Sequence, residues 1–285
     1  MQKSFLSIIT NESWIMKREQ IFWKRIINVT TLVGWLTNKV YLIELEWWEK
    51  VVMKIGDNLS READFFWFVS KNKIEPFPRL LDVEESWKIL IFEFKKWINW
   101  KDIVDWLNTL NWVSLWNEFW EILNNLHSVS IDIDNEKKQK SIKEMLDYLS
   151  VKSKLFGQSE YDNEINKLRE LLLVSNQKFV MLHWDFSPHN CLFKTNEEWL
   201  HSISTVLDPS GRVSYWVSYF DVAYLLNTRW NKNKEQLRKW FIEKYPINFT
   251  DPLFIQFEKV MKMYLVEIYS AIGDEVSSKE IIKTI

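Results

Sequence analysis

The sequence is short of glycine: five in 285 residues, where ordinary usage near 7% would supply about 20. It has one cysteine, so an intrachain disulfide is excluded and a reducing compartment is expected. No apolar stretch approaches the roughly 18 residues needed to span a bilayer. The N-terminus offers one Lys before a short apolar patch, unlike a secretory signal. A net charge of −2 and the lack of a long basic run argue against nucleic acid as a partner. The charged stretch 136–140 is short and mixed in sign, which suits a solvated helix end or loop. There is no internal repeat and no low-complexity linker. A cytoplasmic protein acting away from membrane and nucleic acid is the expectation, with its oligomeric state left open.

What the chain has in excess is tryptophan, 18 in all. Glycine and tryptophan together make up about 8% of the residues, close to the ordinary glycine share of roughly 7%. The positions sharpen this. Trp47-Trp48 falls between the alternating runs Val40 to Leu45 and Lys50 to Ile55, where a two-residue hairpin asks for Gly-Gly or Asn-Gly at φ > 0. Trp87 lies in the polar turn Glu84-Glu85-Ser86-Trp87-Lys88. Bulky residues at positive φ are outliers. Many of these tryptophans are therefore expected to be glycine in the natural protein, as when a UGA codon that its source reads as glycine is translated as tryptophan.

The chain is organised around Val180-Met-Leu-His-Trp-Asp-Phe-Ser-Pro-His-Asn-Cys-Leu-Phe193. An apolar run delivers His183 and Asp185, a turn with Pro188 follows, and a second apolar run begins after Asn190. Read as strand, loop, strand, this places a carboxylate and a carboxamide five residues apart on a firmly held loop. Asp208 follows another apolar approach, Ile203 to Leu207, and the Pro-Ser-Gly turn after it puts Asp208 at a strand end. Such a set suits phosphoryl transfer, in which an Asp orients the attacking hydroxyl while an Asn and a second Asp hold Mg²⁺.

His-x-Asp-x4-Asn followed by Val-Leu-Asp-Pro resembles the aminoglycoside phosphotransferase and choline kinase branch of the kinase-like fold, over roughly residues 30 to 270. The family has His-Gly-Asp where this chain has Trp184. The resemblance implies an α+β, two-lobed protein-kinase-like fold. Its N-terminal lobe, residues 1–96, is a five-stranded antiparallel sheet with a helix; its C-terminal lobe, residues 97–285, is mainly helical. It also implies an ATP- (or GTP-) and Mg²⁺-dependent kinase acting on a hydroxyl of an aminoglycoside, a choline-like compound, another amino alcohol or a sugar.

Other segments fit that frame. Residues 1–29 read as a helix or two. From Thr30 the period is two, and Gly34, Trp35, Thr37 and Asn38 form a small loop of the kind that approaches phosphates. Lys54 in the run Val51 to Ile55 and Glu62 in the helical stretch Arg61 to Val69 form the expected ion pair on the α and β phosphates. Glu93-Phe94 marks the crossing between lobes, where the family's adenine meets backbone. The period is helical from Lys101 to Ser128, and His127 at its end reads as architectural. Residues 136–175 read as two helices broken at Gly157. Asp221 matches the family's Asp-x-Ala that braces the catalytic loop, and a simple N-cap describes the same place.

Three rivals remain. A protein kinase fits less well, because Asp208 is followed by Pro-Ser and no Ala-Pro-Glu occurs downstream. Metal hydrolysis would use His183, Asp185 and His189 but leaves Lys54, Glu62 and Asp208 idle. A nucleotide-binding pseudokinase follows if Trp35, Trp97 and Trp184 are genuine. For the acceptor, Glu258, Glu267, Asp274 and Glu275 are acids that could receive a cation, or simply a solvated helix face.

Overall fold

The computed structural model describes residues 20–22, 24–32, 38–57, 59–84, 88–96, 98–103, 109–195, 201–209, 215–229, 234–244 and 247–285. Gly34, Trp35, Thr37, Trp87 and Trp97 lie outside them. By its contacts the chain forms two compact units, residues 1–63 with 78–95 and residues 64–77 with 96–285.

The first unit is an antiparallel sheet. Its strands are β1 (Gln20–Ile21), β2 (Lys24–Leu32), β3 (Lys39–Leu45), β4 (Lys50–Ile55), β5 (Leu80–Val83) and β6 (Ile89–Glu93), in the order β1-β2-β3-β4-β6-β5. Alternation in β3 and β4 turns Ile43, Leu45, Val51 and Met53 to one face, where they pack with Ile89 and Ile91 of β6. Five strands carry the expected sheet, and β1 adds a two-residue edge. The described part of segment 1–29 is therefore strand and not helix. β2 reads Lys-Arg-Ile-Ile-Asn-Val-Thr-Thr-Leu, and its β-branched residues favour a pleated surface over a helix.

The β3–β4 hairpin turns through Glu46–Trp48, closed by the Leu45 N–H donating to the Glu49 carbonyl at 2.8 Å. Trp47 and Trp48 have φ of 69° and 66°. This is the left-handed pair that such a turn requires, held here by two exposed indoles.

The second unit is mainly helical. Its long helices are Thr109–Ser128, Asn135–Leu149, Gln158–Val174 and Pro252–Ala271. The two helices read from residues 136–175 are present, and Gly157 between them has φ 79°, a conformation open to glycine at no steric cost. Pro252–Ala271 packs against Gln158–Val174, Tyr219–Asn227 and Glu275–Ile282. Its stripe Phe254, Phe257, Met261, Tyr264 and Leu265 is buried in the core.

Two small sheets sit in this unit, built from β7 (Ile98–Asn99), β8 (Ser130–Ile131), β9 (Phe179–Met181), β10 (Cys191–Thr195), β11 (His201–Val206) and β12 (Tyr215–Trp216). Their orders are β11-β10-β7 and β12-β9-β8. The two apolar runs around residues 183–190 are β9 and β10, and each is the central strand of a different sheet. The loop is thus tied at both ends to strands paired on both edges. Among the described residues, no helix is long and apolar enough to cross a membrane.

Candidate active site

In the first unit, Lys54 occupies the central strand β4, paired with Val40 on one side and Leu90 on the other. Its Nζ donates to both carboxylate oxygens of Glu62, at 2.9 and 2.7 Å. Glu62 lies in the first turns of the helix Ser60–Lys71. Both side chains are about 95% buried. An ammonium and a carboxylate out of water are tolerated only when paired this closely.

Asn38 leans on Gly56, where a Cβ would stand 2.3 Å from the Asn38 side-chain oxygen. A Cβ there would force the Asn38 side chain to shift. Glu93 accepts from the Arg79 N–H at 3.0 Å and pairs with Lys95 at 3.1 Å. The Phe94 ring faces Lys50 Nζ at 5.9 Å.

The second unit brings together the other expected residues. Asp221, in the helix Tyr219–Asn227, accepts the N–H of His183 on Oδ2 and that of Trp184 on Oδ1, both at 2.8 Å. His127 Nε2 reaches Asp221 Oδ2 at 3.1 Å. The N-cap of that helix is Ser218, so Asp221 braces the loop and the capping alternative falls. His127, expected to be architectural, is a partner of that brace.

His183 is fully buried, with its Nε2–H donating to the Leu207 carbonyl at 3.0 Å and its ring among Phe65, Phe77 and Phe186. Burial pushes its pKa down to about 4 against the pull of Asp221 and Asp208, so the ring is neutral at physiological pH. The Leu207 N–H donates to the Asn190 carbonyl at 2.8 Å. The N–H and the carbonyl of Leu207 are therefore both bonded to the loop, which holds the Asp208 segment beside it. Asp208 itself has φ 59°, a strained conformation that Asp bears more readily than most residues.

Asn190 ends a single 3₁₀ turn, Pro188–Asn190. Its Nδ2 donates to the Asp185 backbone carbonyl at 2.9 Å, which leaves the amide oxygen for another ligand. About 30% of the Asp185 side chain is open to solvent, yet its Oδ1 is buried with no hydrogen-bond partner. Burial raises its pKa to about 6; the charges of Asp208 and Asp221 add to this, and hydrogen bonds from Tyr224 and Asn190 oppose it. A carboxylate poised near 6 ionises just below neutral pH, which suits a general base. Tyr224 escaped the sequence reading. Its signal was position: three residues after Asp221 on one helix, it shares that helix face.

Trp184 has φ 71°. Its indole is buried against Tyr148 and Phe220, with ring centroids 5.1 and 4.4 Å away. Three of the six non-glycine residues at positive φ among the described residues are tryptophans, as expected if they stand at glycine positions. The indole N–H groups of Trp116, Trp120, Trp184, Trp216 and Trp240 are buried without a hydrogen-bond partner, a state that native proteins rarely leave uncorrected.

The four acids weighed for a cationic acceptor are otherwise engaged. Glu258 binds Arg238 and Asn227, and Glu267 accepts from Ser153 Oγ and from the Lys154 and Leu155 N–H groups. Asp274 pairs with Arg229, and Glu275 with Lys279. Glu258 and Glu267 are also buried, so neither the cation-site nor the solvated-face reading describes them.

No protein-family model and no curated protein sequence matches this chain. Solved structures do match. One is a thermostable mutant of the aminoglycoside phosphotransferase APH(4)-Ia in a ternary complex with AMP-PNP and hygromycin B. Its TM-score is 0.65 at 12% identity, covering 95% of this chain and 97% of that one. A second is the amicoumacin kinase hAmiN with AMP-PNP, Ca²⁺ and Ami, at TM-score 0.62 and 13% identity, covering 100% and 96%. A third is a putative fructosamine-3-kinase from Thermobifida fusca YX-ER1, at TM-score 0.61 and 12% identity, covering 95% and 96%. The chain thus has the α+β protein-kinase-like fold, in the form shared by aminoglycoside phosphotransferases and small-molecule kinases.

Proposed function

We propose that this protein is a small-molecule kinase that transfers the γ-phosphoryl group of ATP (or GTP) to an acceptor hydroxyl. The observation that carries the reading is Asp185: a carboxylate with an unpartnered oxygen and a raised pKa, on a loop pinned by Asp221 and Asn190. Asp185 accepts the hydroxyl proton as the acceptor oxygen bonds to the γ-phosphorus. The bond from that phosphorus to the bridging oxygen breaks, and ADP leaves. Lys54, oriented by Glu62, neutralises the nucleotide phosphates; Asn38 belongs to the loop over them, and the Glu93–Phe94 backbone meets the base.

Asn190 and Asp208 would hold Mg²⁺, which supplies charge neutralisation to the transferring phosphates. The residues fit. Asp208 and Asp221 add negative charge around Asp185, and the committed Asn190 amide nitrogen leaves an oxygen for a hard cation. Among the described residues no three His, Cys, Asp or Glu side chains form a ready-made metal cage. Mg²⁺ seldom uses one, taking one or two protein oxygens and completing its shell with phosphate and water. The structure favours this over a hydrolytic metal centre, since His183 is turned to the Leu207 carbonyl.

The kinase is favoured over a pseudokinase because, even with an indole at 184, the His183 and Trp184 N–H groups keep their bonds to Asp221. The test is ADP release with Mg·ATP over aminoglycosides, choline and other amino alcohols, fructosamines and sugars. It is run on the chain as printed and on one with glycine at 35, 47, 48, 97 and 184. Acceptor-dependent ADP in either supports a kinase, and nucleotide binding without turnover in both would leave the pseudokinase.

A further inference from the structure

Four helices of the second unit, Tyr219–Asn227, Lys234–Lys244, Pro252–Ala271 and Glu275–Ile282, line a cleft of about 400 Å³. Ligand pockets commonly measure about 300–1,000 Å³. The phosphoryl transfer proposed above uses none of the residues that line this one.

The buried side of the cleft is charged. Glu258, 6% exposed, accepts from both Nη1 and Nη2 of Arg238. Its Oε1 also accepts from Asn227 Nδ2 at 3.3 Å. Lys262 Nζ stands 3.9 Å from that same oxygen, too far for a hydrogen bond. It donates instead to the Thr284 carbonyl at 3.0 Å, which takes one of the three N–H donors of an ammonium. Burial draws the Lys262 pKa down, with Glu258 opposing the fall and Arg238 adding to it. Two cations thus share one buried carboxylate, and an anion arriving there would meet an excess positive charge.

The solvent side has the opposite sign, because Glu235 and Glu280 line the cleft and are exposed. Leu226 and Ile281, both buried, give the lining an apolar stretch. Two cations against three carboxylates leave the cleft one negative charge in all. A matching ligand has a carboxylate, an aliphatic stem, a distal cation and a net charge of one positive.

We propose that this cleft binds a basic amino acid of the lysine kind. Its α-carboxylate lies on Lys262 and Arg238, its stem over Leu226 and Ile281, and its side-chain ammonium at Glu235 and Glu280. Binding there needs neither nucleotide nor turnover.

Isothermal titration calorimetry on the full chain, without nucleotide, compares three probes. They are L-lysine, L-norleucine, which lacks the distal ammonium, and cadaverine, which lacks the carboxylate. L-Lysine should bind about tenfold tighter than either analogue, or more. Lys262→Met should weaken L-lysine about ten- to hundredfold, the loss of a charge-assisted hydrogen bond, without weakening cadaverine. Glu280→Gln should weaken L-lysine and cadaverine about two- to fivefold and leave norleucine unchanged. Glu280 is exposed, so this variant keeps the test decisive if Lys262→Met does not fold. No binding of L-lysine, an affinity no better than that of the analogues, or an affinity unchanged in either folded variant overturns the assignment.

Discussion

Replacing Trp47, Trp48 and Trp184 tests the backbone argument directly. Holding a non-glycine residue in the left-handed region costs about 1–2 kcal/mol. Glycine removes that cost and returns about 0.4–1 kcal/mol of it as extra freedom in the unfolded chain. At Trp47 and Trp48, which are 81% and 94% exposed, almost no burial is lost, so each change to Gly should stabilise by about 1 kcal/mol. Trp184 is 2% exposed, and truncating a buried indole ordinarily costs about 3–5 kcal/mol. Relief of its orphaned N–H offsets about 1–3 of that.

The decisive comparison at 184 is therefore Gly against Ala, because both variants empty the same space. At most positions Ala is the more stable by about 0.5–1 kcal/mol. At φ 71° the order should reverse, with Gly ahead by about 1 kcal/mol. Urea midpoints at constant slope measure each difference. Ala equal to or better than Gly at 184, together with no gain at 47 and 48, would refute the reasoning. Peptide mass spectrometry of natively produced protein across residues 179–194 reads the same question in mass. Glycine at 184 establishes the recoding, whereas tryptophan there makes the printed chain the natural one.

Asp185→Asn should abolish turnover while sparing Mg·ATP binding. In chelator-treated protein it should also stabilise the fold at pH 7.5. With a pKa of about 6 against 3.8, Asp185 favours the fold at low pH and loses that contribution as pH rises through 6. The loss is about 3 kcal/mol at most, discounted to about 1–2 for its solvent-open part; full activity or a lower urea midpoint would contradict this.

His183, at about 4 against 6.5, acts in the opposite sense. Its contribution is complete above 6.5 and is lost as pH falls toward 4, by up to about 3 kcal/mol. The parent should therefore show a shallow pH profile between 4.5 and 7.5 and Asp185→Asn a steep acid loss, an idea that parallel profiles would sink. Lys54→Met strands Glu62 and should cost about 3–5 kcal/mol. Adding Glu62→Leu should recover most of that stability without recovering nucleotide affinity, as calorimetry and urea melts together can show.

Much of the fold and site was legible because their signals are local. Period-two runs marked β3 and β4, an apolar run marked β6, and the spacing His183-x-Asp185-x4-Asn190 marked the loop. A hairpin's need for positive φ exposed Trp47 and Trp48 before any coordinates did. The first part of strand β2, residues 24–29, was missed where its irregular exposure, with adjacent outward positions, hides the alternation that announced its end from Thr30. What the sequence could not contain is which distant groups meet. That β9 and β10 enter different sheets, that one carboxylate of Asp221 holds two successive N–H groups, and that Glu258 and Glu267 face inward all depend on chain segments 30 or more residues apart. Residue types and spacing thus set the chemistry on offer, while long-range packing decided which carboxylate is desolvated, which is neutralised, and which is left open to a substrate.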